Sequence, residues 1–145
     1  MINKQMVDWN SENKFYPVDM NSILEAEEVL GFQFPEELRD FYQQIGCGFF
    51  GGSKTNVNRL MGPYSVRDFR LRKNDFEYYP EIDIYDHFED NKLIFFESNL
   101  SALISIELGQ KEKSKVYYYD MIIADSLEEF IKKIQEDDNY FVDLQ

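Results

Sequence analysis

The 145 residues carry 28 acidic and 15 basic side chains, so the formal net charge is −13, and 17% of residues are aromatic. This length suits one domain spanning residues 1–145, and the aromatic content argues against a disordered chain. The charge disfavours direct binding to nucleic acid or to an anionic membrane, and it attracts basic proteins. The alternative is that the acidity serves only solubility.

The N-terminus and the cysteine content do not require an oxidising compartment. Cys47 is the one cysteine, so an internal disulfide is excluded. The first eight residues are too polar for a signal peptide, and no apolar run is long enough to cross a bilayer. We therefore expect a cytoplasmic protein.

Two helices are predicted in the first half, after a short N-terminal helix within residues 3–12 and an extended stretch that ends at Pro17. Asp19 is expected to cap a helix that ends near Gly31, and Pro35 to lie in the first turn of the next helix. The first helix should bury Ile23, Ala26, Glu27 and Leu30, and the second Leu38, Phe41, Tyr42 and Ile45.

The middle of the chain gives weaker signals. Residues 46–52 hold four glycines around Phe49 and Phe50, and they are predicted to form a turn into a short strand. Residues 53–62 match no element. Ser65 is expected to cap a short helix, with Asp68 completing an approximate capping box.

The second half predicts a sheet and a closing helix. Strands are expected at residues 93–96, 102–108, 116–119 and 121–124, and such short connections allow only antiparallel pairing between neighbours. Asp125 or Ser126 should cap a final helix that buries Leu127, Phe130, Ile131 and Ile134. The fold class is therefore α+β, with N-terminal helices and a C-terminal helix packed on an antiparallel sheet, or on a mixed sheet as the alternative.

Catalytic motifs are not recognisable. The lone His87 follows Asp86, but no serine or cysteine lies in a nucleophile elbow. Cys47, between two glycines, is interpreted as a packing residue, and a Cys47–His87 dyad is the enzymatic alternative. Phosphate loops and zinc motifs are missing, and Asp83, Asp86, Glu89 and Asp90 have the wrong spacing for an EF-hand. We expect no enzyme activity, no metal and no cofactor.

Residues 75–90 form what we call the acidic-aromatic segment, which holds seven acids and no lysine or arginine. Such a surface suits a basic protein partner, with rings as anchors and carboxylates as steering groups. The predicted partner-binding residues are Glu77, Tyr78, Tyr79, Glu81, Asp83, Tyr85, Asp86 and Glu89. The alternative is a strand and loop whose rings point inward and whose acids are merely solvated.

A basic cluster directly precedes the acidic-aromatic segment. It consists of Arg67, Arg70, Arg72 and Lys73. These side chains could contact phosphate, but their position beside seven acids favours pairing within the fold, or a simple balance of the local charge.

Three stretches resemble the SUKH superfamily, in the family's order. Residues 25–42 read EAEEVLGFQFPEELRDFY, with the Leu-Gly exit of one helix followed by Pro and a second helix. Lys92–Glu97 is similar to the family's Leu-Ile-Pro-Phe strand, with Phe95 where proline is common. Residues 124–131, ADSLEEFI, are similar to its closing helix. Two departures are Ile45 in place of an asparagine, and the absence of a clear acidic position among Ser101, Ser105 and Glu107.

The resemblance implies helices on an antiparallel sheet and a role in binding. Members are best known as bacterial immunity proteins that neutralise toxins, often nucleases, and others are interaction hubs. The expected partner is thus a cognate toxin of the polymorphic or LXG type with a basic nuclease domain. The alternative is a general interaction or regulatory module without a toxin partner.

Overall fold

A seven-stranded sheet forms the centre of the fold in the computed structural model, which describes residues 1–9, 12–51, 57–99 and 102–144. The strands lie side by side in chain order, and every neighbouring pair is antiparallel. They are β1 (Lys14–Tyr16), β2 (Cys47–Gly51), β3 (Val57–Leu60), β4 (Lys92–Glu97), β5 (Leu103–Glu107), β6 (Val116–Tyr118) and β7 (Met121–Ala124). The predicted antiparallel α+β fold is confirmed.

Four α-helices accompany the sheet in the described part of the chain. They are α1 (Met20–Leu30), α2 (Glu36–Gln44), α3 (Pro63–Leu71) and α4 (Leu127–Glu136). Short 3₁₀ helices cover Lys4–Met6, Asn74–Phe76, Ile82–Phe88 and Tyr140–Leu144. Helix α1 packs on α3, α3 on β4, and α4 on β7 and α2.

Helix α1 begins and ends where its sequence predicts. The Asp19 carboxylate accepts a hydrogen bond from the Asn21 N–H at 2.9 Å, which satisfies one of the free donors of the first turn. Gly31 closes the helix in the left-handed region, at φ 82°, where a side chain would be strained. The predicted face buries Ile23, Ala26 and Glu27.

A buried carboxylate joins α2 to α4. Glu37 accepts hydrogen bonds from the backbone N–H groups of Ser114 at 3.0 Å, Leu127 at 3.0 Å and Glu128 at 3.2 Å. Two of these donors belong to the first turn of α4, where N–H groups have no partner within the helix. Glu37 thus supports α4 together with Ser126, whose hydroxyl accepts from the Glu129 N–H at 3.1 Å. Of the two predicted caps for α4, the structure uses Ser126.

A β-bulge interrupts the pairing of β4 with β5. Ile94 pairs with Ser105 and Phe96 with Ile104, so Phe95 is an extra residue on its strand. Its carbonyl instead accepts a hydrogen bond from the Met61 N–H at 2.8 Å. Proline is tolerated in sheets mainly at edges and bulges, which gives a physical reason for the proline that the SUKH pattern carries here. The rings of Phe95 and Phe96 pack on Phe130 of α4.

Three local predictions are corrected. Helix α3 begins at Pro63 with Gly62 as its N-cap, so Ser65 lies within the first turn and caps nothing. The unassigned region contains β3, and residues 3–12 hold only the 3₁₀ turn Lys4–Met6 in their described part. The predictions that involve residues 10, 11, 52–56 and Ser101 lie outside the described residues.

Candidate functional site

The acidic-aromatic segment folds as two short 3₁₀ helices joined by turns, and not as a strand. A 3₁₀ helix has three residues per turn, so side chains at i and i+3 lie on one side. This period places Ile82, Tyr85 and Phe88 on one side of the second 3₁₀ helix, and Phe76 and Tyr79 continue the same spacing before it. Phe76, Ile82 and Tyr85 are buried, and Tyr79 and Phe88 are half-buried.

The inward rings pack on α3. Phe69 makes edge-to-face contacts with Phe76 at 5.1 Å, with Tyr79 at 6.1 Å and with Tyr85 at 6.1 Å between ring centroids. Such contacts stabilise beyond the burial of apolar area. The segment is therefore held on a hydrophobic base, and its backbone is not a free loop.

Two arginines of the basic cluster fasten the end of the segment. Arg72 pairs with Asp86 at 2.7 Å and with Glu89 at 2.9 Å, and Arg70 donates to the backbone carbonyls of Glu89 at 3.0 Å and Lys92 at 2.7 Å. Burial raises the pKa of Glu89 above its ordinary value, against the lowering effect of Arg72 and Arg70.

The predicted internal use of this cluster is confirmed for three of its members. Arg67 pairs with Asp68 at 3.0 Å and lies over the Tyr64 ring. Lys73, the fourth base, is exposed.

The eight predicted partner-binding residues divide into a group without partners in the described part of the fold and a group that is tied to it. Glu77, Tyr78, Glu81 and Asp83 are exposed, and none of them makes an ion pair within the described part of the chain. Tyr78 projects furthest, with 88% of its surface accessible. The other four are tied to the fold: Tyr79 is half-buried, Tyr85 is buried, and Asp86 and Glu89 are paired with Arg72.

Tyr85 is predicted to be a binding anchor, but in the structure it is a buried residue that packs within the fold. It is only 4% exposed, and its hydroxyl accepts a hydrogen bond from the Leu103 N–H at 3.3 Å. Burial raises the pKa of this phenol well above its ordinary value. Tyr85 can therefore contribute only a small part of the wall of a depression, and it cannot project as an anchor.

That depression lies along the segment and has a volume of about 370 Å³. Its lining consists of Tyr79, Pro80, Glu81, Ile84, Tyr85 and Tyr119. Tyr119 was not foreseen from the sequence. It lies in the tight turn between β6 and β7, and its ring is parallel to that of Tyr85, with an interplanar angle of 10° and a centroid distance of 6.0 Å. The available signal was a bulky tyrosine at a turn between two strands.

A second, more apolar cavity of about 450 Å³ lies between β1, β2, β3 and the starts of α1 and α3. Three exposed rings line it, those of Tyr16, Phe49 and Tyr64. Its two charged residues are already engaged, since Asp19 caps α1 and Arg59 pairs with Glu97 at 2.5 Å. This cavity therefore presents apolar surface with little net charge.

Cys47 and His87 occupy different surroundings. Cys47 is half-buried in the wall of the second cavity, where burial raises the pKa of its thiol against the lowering effect of Arg59. His87 is exposed on the 3₁₀ helix Ile82–Phe88 and does not line that cavity. The described residues contain no cluster of histidine, cysteine or acidic side chains that could hold a metal ion. Within the same residues, no helix has the length and apolar character needed to cross a membrane.

An antiparallel sheet with its strands in chain order and helices packed on it agrees with the arrangement that the SUKH resemblance implies. Comparison with known proteins gives the same class: the SUKH_6 family model, described as SMI1-KNR4 cell-wall, matches residues 20–131, from the start of α1 into α4. The chain therefore belongs to the SUKH superfamily and, within it, to this SMI1-KNR4 family. It is also similar to the immunity protein YxxD of Bacillus subtilis strain 168, with 57% identity over 135 residues that cover 93% of this chain and 92% of the relative.

Proposed function

We propose that this protein is a cytoplasmic immunity protein that binds a cognate bacterial toxin domain and neutralises it. The observation that carries the proposal is the 57% identity to immunity protein YxxD across nearly the full length of both chains. Identity at this level over a shared fold supports a shared mode of action. It leaves the particular toxin open, because partner choice depends on a few surface residues.

The acidic-aromatic segment is the surface proposed to meet the toxin. Its exposed acids, Glu77, Glu81 and Asp83, can steer a basic partner and raise the association rate. Tyr78 supplies a large exposed ring of the kind that dominates binding energy at interfaces. The 3₁₀ helices and the two arginines hold these groups in place, so little conformational entropy is lost on binding.

A nuclease domain is the proposed target. A nuclease must hold phosphate groups, so its substrate-binding surface is basic. A protein of net charge −13 that presents carboxylates on a rigid surface can occupy that site and exclude nucleic acid. Neutralisation would then result from blocking the active site, without chemistry by the immunity protein.

The second candidate function is an interaction module without a toxin partner. The apolar cavity lined by Tyr16, Phe49 and Tyr64 favours it, because this surface suits a partner that is not basic. The two functions therefore predict different binding surfaces.

Co-expression tests the proposal. The protein is produced with the C-terminal domain encoded by the nearest neighbouring large gene, and cell survival and co-purification are measured. Survival with a stable complex is the expected result. Death of cells that contain both soluble proteins, without a complex, would contradict the toxin assignment.

A paired set of variants locates the surface. The triple variant Glu77→Lys, Glu81→Lys, Asp83→Lys should lose protection, whereas Phe49→Ala should retain it. Loss of protection by Phe49→Ala alone would move the interface to the apolar cavity. Circular dichroism of both variants checks that the fold is intact.

A further inference from the structure

The depression beside the acidic-aromatic segment combines two kinds of recognition group. The half-buried rings of Tyr119 and Tyr79 line it, and the buried ring of Tyr85 lies parallel to that of Tyr119. Glu81, at the rim, is exposed and makes no ion pair within the described residues. Aromatic faces attract cations through the ring quadrupole, and a nearby carboxylate adds direct charge pairing.

The depression is also a built feature of the fold. Tyr119 takes a positive φ of 57° as the first residue of the two-residue turn between β6 and β7, where tight hairpin turns require this conformation. Its ring contacts Phe88 as well as Tyr85, at centroid distances of 5.3 and 6.0 Å. The hairpin of β6 and β7 thus brings a ring to the segment from a distant part of the chain.

We propose that this depression binds one arginine side chain of the partner protein. The identity of the partner rests on the proposed function. The choice of arginine rests on the geometry of the depression. A planar guanidinium can lie against tyrosine rings while it donates two parallel hydrogen bonds to the Glu81 carboxylate. Its alkyl stem can contact Ile84 and Pro80, which complete the lining.

The surrounding charges favour a cation in this place. Among the described residues that line the depression, Glu81 is the one that carries a charge. Arg59, whose field reaches Tyr79, is neutralised by its pair with Glu97. Arg72, on α3, is occupied by Asp86 and Glu89. An incoming arginine therefore meets an uncompensated carboxylate and no free arginine among these neighbours.

A titration of the isolated protein tests the inference without the toxin. N-acetyl-arginine amide is added to isotopically labelled protein at constant ionic strength, and amide NMR shifts are followed. N-acetyl-citrulline amide is the matched control, because it has the same shape and no charge. We expect saturable shifts at Glu81, Ile84 and Tyr119 with arginine, and at least about fivefold weaker binding of citrulline.

Variants separate the ring from the carboxylate. Tyr119→Leu, which keeps bulk but loses the aromatic face, and Glu81→Gln, which keeps shape but loses charge, should each weaken arginine binding about two- to fivefold. Glu28→Gln, an exposed acid on α1, should leave it unchanged. Equal shifts with both ligands, or none with arginine, would overturn the inference.

Toxin binding by the same variants distinguishes this inference from the proposed function. If the wild type forms no toxin complex but shows the expected NMR response to arginine, the proposed function is contradicted and the arginine site is supported. If Tyr119→Leu and Glu81→Gln each bind the toxin domain as tightly as the wild type does, the proposed function stands and the arginine site is overturned.

Discussion

At the scale of single residues, the buried Glu37 and the exposed Tyr78 are expected to serve different purposes, stability for the first and binding for the second. Glu37 is 6% exposed and its carboxylate accepts three backbone N–H groups. Tyr78 is 88% exposed and makes none of the aromatic contacts of its neighbours in the described structure. A buried acceptor of this kind is expensive to remove, whereas an exposed ring contributes little to folding.

Replacing Glu37 should destabilise the protein strongly. Glu37→Ala leaves the N–H groups of Ser114, Leu127 and Glu128 without their acceptor, and we expect a loss of about 2–4 kcal/mol in the free energy of unfolding. Urea denaturation measures it. The neighbouring exposed Glu36 is the control, and Glu36→Ala should change stability by less than about 0.5 kcal/mol. A similar small change for Glu37→Ala would refute the role given to this carboxylate.

Replacing Tyr78 should affect binding and not stability. Tyr78→Ala removes an exposed anchor, so we expect an unchanged melting temperature and at least about tenfold weaker binding to the toxin domain. Isothermal titration calorimetry and thermal denaturation give the two quantities. Val29→Ala, an exposed apolar side chain on α1, should change neither. Unaltered toxin affinity for Tyr78→Ala would exclude this ring as an anchor.

At the scale of elements, α3 and the acidic-aromatic segment act together. The segment packs its inner rings on Phe69 and is fastened by Arg70 and Arg72. Its outward groups are ordered because its inward groups are packed. A loss of fastening should therefore reduce binding even though Arg72 itself contacts no partner in the proposal.

The Arg72→Ala variant tests this coupling. It leaves Glu89, whose side chain is 11% exposed, without its nearest cation. We expect about 1–2 kcal/mol lower stability, because the pair is partly exposed and screened. Hydrogen exchange should become faster in the 3₁₀ helix Ile82–Phe88, and toxin affinity should fall. Lys73→Ala, at the exposed next residue, is the control. Unchanged exchange in this helix would show that the arginine does not hold it.

The sequence predicts an element well when the residues that determine it lie within the element or next to it. Helices α1 and α4 were predicted with their caps, because Asp19, Gly31 and Ser126 act within one turn of the helix end. The start of α3 was placed wrongly, because Pro63 after Gly62 determines it more strongly than Ser65 does. Strand β3 was not predicted because it is short and its pairing with β2 and β4 depends on residues outside it.

The candidate site was predicted in part for the same reason. The segment's composition indicates its exposed acids and Tyr78, whereas its inward rings recur with a period of three, which indicates a 3₁₀ helix. The inward position of Tyr85 follows from that period, and Tyr79 has the same spacing although it lies between the two 3₁₀ helices. Tyr119 reaches the segment only through the packing of the β6–β7 hairpin, a long-range contact without a local pattern.

At the scale of the whole molecule, charge and fold have separate roles. The SUKH sheet and its helices form a framework that buries its rings on α3, α4 and the central strands. The net charge of −13 acts at longer range, and it should speed association with a basic partner at low salt. The location of the acidic residues should decide which surface of the partner binds. Reversal of acids far from the segment changes the net charge of the protein but not the charges at the proposed interface.

The most direct test of this account is the rate constant for association with the toxin domain, measured by stopped-flow fluorescence at low and high salt. Two variants with equal changes in net charge are compared with the wild type. One reverses Glu77, Glu81 and Asp83 to lysine, and the other reverses Glu28, Glu112 and Glu136, exposed acids outside the segment. We predict a fall of at least about tenfold for the first and less than about threefold for the second at low salt, with the difference reduced at high salt. Equal rates for the two variants would contradict the claim that the acidic-aromatic segment binds the toxin.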